Sequence, residues 1–115
     1  MNFKSEMIDG ILVLTIFLTR ATASVADTLK EKLFEEIKNG HNQVVINLSQ
    51  VDFTDSSFLG ALLAGHKFAL ENNGGISLSD LKPQVKNVFE VTYMNKIFMV
   101  FDTVEKAIQN FKTKK

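Results

Sequence analysis

The sequence contains no cysteine, no tryptophan and only one proline and one tyrosine. Without cysteine it can form no disulfide bond, thiolate metal site or thiol nucleophile. Basic and acidic residues number thirteen each, so no net charge of one sign favours nucleic acid or an anionic membrane surface. No apolar run reaches the roughly 18 residues of a membrane helix, and the N-terminal segment lacks the pattern of a secretory signal. These absences predict a cytoplasmic protein that contacts neither nucleic acid nor membrane.

The remaining composition is typical of one globular domain. The chain has 115 residues, of which 45% are hydrophobic and 23% charged. At this length a chain forms a single domain and buries roughly two-thirds of its unfolded surface. There is no internal repeat, low-complexity segment or linker, so we predict one domain over residues 1–115, as a monomer or weak dimer without a cofactor.

The first two strands are predicted to form a hairpin. Residues alternate loosely between apolar and polar over Asn2–Asp9, Asp9–Gly10 is a strong turn signal, and Ile11–Leu18 is apolar on both faces. Strands joined by a two-residue turn are antiparallel, and a strand that is apolar on both faces lies inside a sheet. The sheet therefore begins with one antiparallel pair.

Helices and strands alternate after the hairpin. Helices are predicted after Ser24 as N-cap, from the Thr54–Ser57 joint, from Pro83 and after Asp102 or Thr103; strands are predicted at Val44–Leu48, Ile76–Ser79 and Ile97–Phe101. The resulting order is β-β-α-β-α-β-α-β-α. This order predicts an α/β fold whose sheet is mostly parallel, with right-handed crossovers and an N-terminal antiparallel hairpin strand.

The joint Thr54–Asp55–Ser56–Ser57 lies between a buried strand and an apolar helix. One of its residues must cap the helix, because Asp and Ser are favoured N-caps and the first amides need acceptors. Capping accounts for only one of the three residues Asp55, Ser56 and Ser57. The others lie at the carboxyl edge of a parallel strand, where open α/β sheets place functional groups and the helix dipole favours negative charge. The joint is therefore a favourable place for a phosphoserine.

The same segment resembles the phosphoacceptor segment of STAS domains, and most closely that of bacterial anti-sigma factor antagonists. The shared pattern is an apolar strand ending in Asn-Leu, a Val-x-Phe link, and Asp-Ser-Ser-x-Leu-Gly at the start of a helix. The resemblance extends over nearly the whole chain, through Leu18–Thr19, Thr28–Leu29–Lys30, Val85–Phe89 and Asp102–Ala107. It implies a STAS-like fold.

The resemblance also implies a function and a site. Ser56 matches the family's phosphoacceptor, Asp55 its acidic neighbour and Ser57 the second serine of the motif. In such systems an anti-sigma factor that is also a serine kinase phosphorylates the antagonist, and a phosphatase reverses the modification. Only the unphosphorylated antagonist sequesters the kinase.

Two positions depart from the family pattern. The family usually has glycine after the serines, whereas this chain has Phe58, which either packs into the core or projects beside Ser56. The loop after the second strand is usually acidic, whereas here it is Arg20–Ala23, with one basic residue. These departures motivate an alternative, a degenerate STAS module that acts in assembly or transport without phosphorylation.

Small residues in the second helix suggest a partner-binding surface. Gly60, Ala61, Ala64, Gly65 and Ala69 share one side of that helix, and each helical glycine costs about 1 kcal/mol relative to alanine. Either close packing against a neighbouring element or a flat docking surface beside Ser56 would explain them. The candidate partner-binding residues are Arg20, Thr22, Phe58, Gly60, Ala61 and Ala64.

An enzyme is the weaker interpretation. His41 falls in a loop and His66 inside the second helix, and neither is evidently placed to activate a serine or to share a metal. Nucleophile-elbow, dinucleotide-binding and P-loop motifs are absent from the sequence. We therefore predict a binding protein without catalytic or metal-ligating residues.

Overall fold

A five-stranded sheet runs through the protein in the computed structural model, which describes residues 2–113. In spatial order its strands are β1 (Phe3–Ile8), β2 (Ile11–Ile16), β4 (Gln43–Asn47), β6 (Gly75–Ser79) and β7 (Met99–Phe101). A separate two-stranded sheet contains β3 (Arg20–Ala21) and β5 (Phe53–Thr54). The helices are α1 (Ala23–Lys38), α2 (Ser56–Glu71), α3 (Pro83–Val91) and α4 (Val104–Thr113), with a 3-10 turn at Met94–Lys96. Met1, Lys114 and Lys115, the ends of the predicted domain, lie outside the described residues.

The predicted fold class and strand directions are confirmed. β1 and β2 are antiparallel, whereas the pairs β2–β4, β4–β6 and β6–β7 are parallel. Asp9 and Gly10 both have positive φ, 53° and 81°, as a type I′ hairpin turn requires. The sequence did not predict the short parallel pair β3–β5, because two residues are too few to show a period.

Helices cover both faces of the sheet, which explains why β2 carries apolar residues on both of its faces. Leu12 and Leu14 point into a large core shared with α1, α2 and α3. Ile11 and Val13 point into a smaller core shared with α4. The alternation of side chains along a strand divides β2 between these two layers.

Several predicted boundaries are wrong. The first helix begins at Ala23 with Thr22 at its N-cap, instead of after Ser24, and Thr22 makes no side-chain cap. The last strand begins at Met99 instead of Ile97, because the 3-10 turn and the left-handed backbone of Tyr93, with φ 63°, precede it.

Within residues 2–113, no helix combines the length and apolar character needed to cross a membrane.

Candidate functional site

Asp55 joins the starts of two helices. It is the N-cap of α2, where its Oδ1 accepts a hydrogen bond from the Phe58 N–H at 3.0 Å. Its Oδ2 accepts a hydrogen bond from the Ala23 N–H, the first residue of α1, at 3.0 Å. One carboxylate therefore satisfies an unpaired amide in each helix and complements the positive end of both dipoles. This second bond ties the first residue of α1 to the N-cap of α2.

Ser56 and Ser57 are the first two residues of α2, and both are exposed. Because Asp55 already acts as the cap, neither serine hydroxyl is required for that purpose. Ser57 also lines a surface cleft of about 410 Å³ between the two helix starts, opposite Asp27 and Lys30. The two hydroxyls are therefore accessible from solvent beside a joint that Asp55 holds together.

The short sheet brings the Arg20–Ala23 loop to this joint. Arg20 pairs in register with Phe53, and Ala21 with Thr54, directly before Asp55. The Arg20 guanidinium lies 4.4 Å from the centroid of the Phe53 ring, a cation–π contact, and Phe53 is 44% exposed. From the sequence, Phe53 is only the end of the Val-x-Phe link and is not a candidate site residue. The structure places it on the surface beside the site.

Two of the candidate partner-binding residues are buried, so they do not belong to a partner-binding surface. Phe58 is 1% exposed and packs in the large core, so it does not project beside Ser56. Ala61 is 6% exposed in the same core. Both point inward because α2 packs on the sheet and on α1 over this face. Gly60 is exposed and Ala64 half-buried, so these two remain as surface positions on α2.

The two glycines of α2 have different environments. A Cβ at Gly65 would lie 2.6 Å from Leu33 Cδ1 and 3.3 Å from Ile76 Cδ1. Gly65 therefore permits α1 and β6 to pack closely against α2. A Cβ at Gly60 would meet no heavy atom within 4 Å. Close packing therefore explains Gly65 and leaves Gly60 without a structural reason.

We expect Gly60→Ala and Gly65→Ala to have opposite effects on stability. Alanine at position 60 should raise the free energy of unfolding by about 0.5–1 kcal/mol, because it adds helix propensity without a clash. Alanine at position 65 should lower it by about 1–3 kcal/mol, because α1 or the Leu33 side chain must shift. Urea denaturation of both variants gives the comparison directly. Equal effects of the same sign would contradict the packing difference.

The comparisons with known proteins agree on one family. The sequence profile of the STAS domain matches residues 2–107. The chain is 31% identical over 113 residues to a Bordetella bronchiseptica protein named as an anti-sigma factor antagonist, BtrV, and the alignment covers 98% of this chain and 97% of BtrV. The chain belongs to the STAS domain family.

Solved structures have the same fold as this STAS domain. A Thermotoga maritima protein named as an anti-sigma factor antagonist is 24% identical with a TM-score of 0.83, over 94% of this chain and 92% of that one. The Bacillus protein SpoIIAA, solved in its phosphorylated form, is 22% identical with a TM-score of 0.73, over 95% of this chain and 98% of that one. The resemblance inferred from the Asp-Ser-Ser motif and the predicted architecture are confirmed.

The histidines of this STAS domain lie away from the serines. His66 is ten residues beyond Ser56 on the same helix, a rise of about 15 Å, and its Nδ1 accepts a hydrogen bond from the Ile76 N–H at 3.0 Å. His41 follows the opposite end of α1 from Ala23, and its Nδ1 lies 2.6 Å from Glu36 Oε1. Neither ring is placed to activate Ser56, and antagonists of this family are binding regulators without catalytic activity.

Glu36 has a structural rather than a catalytic setting. Lys32, four residues earlier on α1, has its Nζ 2.8 Å from one carboxylate oxygen of Glu36, and His41 lies on the other oxygen. These bonds, that of Lys32 first and that of His41 second, hold the pKa of Glu36 below its ordinary value. No group of three or more histidine and acidic residues that could hold a metal ion occurs among residues 2–113.

Proposed function

We propose that this STAS domain is an anti-sigma factor antagonist whose binding to its partner is switched by phosphorylation of Ser56. The observation that carries the proposal is an exposed Ser56 that directly follows the capping Asp55, in a chain related over nearly its whole length to BtrV. The proposed partner is an anti-sigma factor with serine kinase activity, and a phosphatase restores the unmodified form. A cytoplasmic location and a role in transcription regulation belong to the same proposal.

The proposed binding surface surrounds Ser56. It consists of Arg20, Thr22, Ser57, Gly60 and Ala64, which lie on the β3 loop and on the exposed side of α2. Arg20 and Gly60 are exposed, and Thr22 and Ala64 are half-buried. The absence of a side chain at Gly60, which internal packing does not require, leaves room for a partner to approach the helix beside Ser56.

The geometry favours a switch that acts on the surface without unfolding the helix. Phosphorylation adds a charge of about −1.5 to −2. At the first position of α2 this charge faces the positive end of the helix dipole, so the helix should remain folded. Asp55 already contributes a carboxylate at the joint, and a phosphate on the next residue makes the surface strongly anionic. A partner that fits the unmodified surface would then meet uncompensated charge and added bulk.

Ser56→Glu is expected to weaken partner binding at least tenfold, since it places a fixed negative charge at the switch position. The measurement is affinity capture from a lysate of the native host, followed by titration of the captured protein with the purified chain. Ser56→Ala, which cannot carry a phosphate and adds no charge, is the matched control and should retain binding. After incubation with ATP and lysate, phosphopeptide mass spectrometry should find phosphate on Ser56 in the wild type and none at that position in Ser56→Ala.

Circular dichroism separates the switch from a folding defect, because Ser56→Glu should keep the wild-type helix content. A large loss of helix would contradict the surface mechanism. If Ser56 stays unmodified and Ser56→Glu binds as tightly as wild type, the phosphorylation switch is wrong. That result would favour the degenerate module, for which the basic Arg20 in place of an acidic loop residue is the supporting observation.

Gly60→Arg tests the proposed surface itself. The position is open, so an arginine should leave the free energy of unfolding within about 1 kcal/mol of that of wild type. Partner binding should fall at least tenfold, because a long charged side chain would occupy the docking face. Gly60→Ala is the control for size: it adds only a methyl group and should weaken binding much less than arginine does. A folded Gly60→Arg variant with full binding would show that α2 is not part of the interface.

A further inference from the structure

The first strand presents an open edge of the sheet. β1 is at one end of the strand order, and its residues from Lys4 to Met7 are all exposed. It is six residues long, the same length as its partner β2. An exposed edge of this length carries a row of unpaired backbone groups and can accept a further strand.

The hydrogen-bond pattern shows which backbone groups face outward. The Phe17 N–H donates to the Asn2 carbonyl at 2.8 Å, so Asn2 and Phe17 form a hydrogen-bonded pair. Such pairs alternate with non-hydrogen-bonded pairs along an antiparallel ladder. With Phe3 opposite Ile16, the even-numbered residues of β1 bond to β2. The N–H and C=O groups of Phe3, Ser5 and Met7 therefore point away from the sheet.

The sequence of β1 is complementary to itself about Ser5. When two copies run antiparallel with Ser5 opposite Ser5, Phe3 lies opposite Met7 of the other copy and Lys4 lies opposite Glu6. The outward groups of Phe3, Ser5 and Met7 then fall on hydrogen-bonded pairs. Lys4 and Glu6 fall on non-hydrogen-bonded pairs, where side chains approach more closely.

Other symmetric registers are less favourable. A centre on Lys4 places two lysines opposite each other, and a centre on Glu6 places two glutamates opposite each other, and like charges at that distance repel. A centre on Phe3 or Met7 shortens the overlap of the strands. None of the ion pairs among residues 2–113 involves Lys4 or Glu6, so both charges are available to a second copy.

We propose that β1 is the contact strand of a two-fold symmetric dimer, in which the β1 strands of two copies pair antiparallel about Ser5. The dimer joins the two five-stranded sheets into one continuous sheet. Two Lys4–Glu6 pairs form on the face toward α4. The even-numbered residues of β1 share that face, and Ile8 among them packs in the smaller core with α4. Two Phe3–Met7 contacts form on the face toward α1 and α2, since Phe3 packs against the large core. The surface lies on a different segment from Ser56 and does not depend on the proposed function.

Charge reversal tests the register. Wild type should dimerise in sedimentation equilibrium at low ionic strength, and Lys4→Glu and Glu6→Lys should each weaken dimerisation about tenfold or more, because two opposite-charge pairs become like-charge pairs. The double variant K4E/E6K should recover the wild-type dimer. An equimolar mixture of Lys4→Glu with Glu6→Lys should form heterodimers, since every pair then joins opposite charges. Lys86→Glu on α3, an exposed residue with the same change in charge, is the control and should leave dimerisation unchanged.

A cysteine at the symmetry centre provides a second measurement. Ser5→Cys creates the sole cysteine of the chain, and hydrogen-bonded partners about 5.5 Å apart between Cα atoms lie within disulfide range. It should oxidise to a covalent dimer. Met7→Cys on the same face places its two copies about 13 Å apart and should not.

Wild type that stays monomeric at about 1 mM overturns the proposal and leaves the edge to a strand of another protein. Association that Lys4→Glu weakens no more than Lys86→Glu does also overturns it and places the contact on another face.

Discussion

Phe58→Ala is expected to lower the free energy of unfolding by about 3–5 kcal/mol. The side chain is 1% exposed and is among the largest fully buried groups of the protein. Truncation removes its apolar contacts and leaves a cavity near the start of α2, which the surrounding helices and sheet can fill only in part. The Phe58 N–H still bonds to Asp55, so the helix start itself is retained.

Urea denaturation with matched variants checks this value. Phe58→Leu should cost less, about 1–2 kcal/mol, because most of the volume remains. Phe17→Ala is the exposure control: Phe17 is 48% exposed, and its truncation should cost under about 1 kcal/mol. A small effect at Phe58 would contradict its position in the core.

The same variant bears on function. In the family pattern this position is glycine, and a phenylalanine there could have blocked Ser56. Because the ring points into the core, it leaves the Ser56 hydroxyl open to solvent. Below its unfolding temperature, Phe58→Ala should therefore bind the partner with an affinity within a few-fold of that of wild type. A selective loss of binding in the folded variant would show that Phe58 shapes the interface.

Asp55→Ala is expected to destabilise the protein by about 2–3 kcal/mol. Loss of an N-cap side chain costs about 0.5–2 kcal/mol, and loss of a hydrogen bond to a charged group costs a similar amount. Asp55 makes one bond of each kind, to the Phe58 N–H and to the Ala23 N–H. Its removal leaves an unpaired amide at the start of both helices.

Amide hydrogen exchange measures this effect residue by residue. Exchange at Ala23 and Phe58 should accelerate together in Asp55→Ala, because a single carboxylate protects both amides. Asp55→Asn keeps one acceptor oxygen and should therefore lose about half as much free energy of unfolding as Asp55→Ala. Asp27→Ala is the control, since Asp27 is an exposed carboxylate on α1 that caps neither helix, and its removal should cost under about 0.5 kcal/mol. Acceleration at Phe58 alone would limit Asp55 to an ordinary cap of α2.

The architecture could be predicted because its signals are local. The Asp9–Gly10 turn requires two residues of positive φ, and few sequences other than Asp-Gly adopt them readily. The strand at Val44–Val45–Ile46 is apolar on every residue because both faces of the sheet are covered. Pro83 begins α3 at a position where its missing N–H has no cost. Each of these features depends on neighbouring residues and on burial, and both can be inferred from the order of residues in the sequence.

The environment of the site could be determined only from the tertiary structure. The sequence determined that Asp55, Ser56 and Ser57 begin a helix, and that small residues recur along it. It could not assign the inward or outward direction of Phe58 and Ala61, because α2 is apolar enough for either face to be buried. Nor could it distinguish the packed Gly65 from the open Gly60, since that difference depends on Leu33, a residue on another helix.

The second bond of Asp55 depends on a partner that lies 32 residues away in sequence. The sequence by itself determined the fold class, the hairpin and the position of the capping carboxylate, because backbone propensities and side-chain periodicity act over a few residues. Only the tertiary structure placed the start of α1 within hydrogen-bonding distance of that carboxylate and Arg20 above Phe53. Those contacts come from the packing of β3 beside β5, and packing between distant segments leaves no period in the chain.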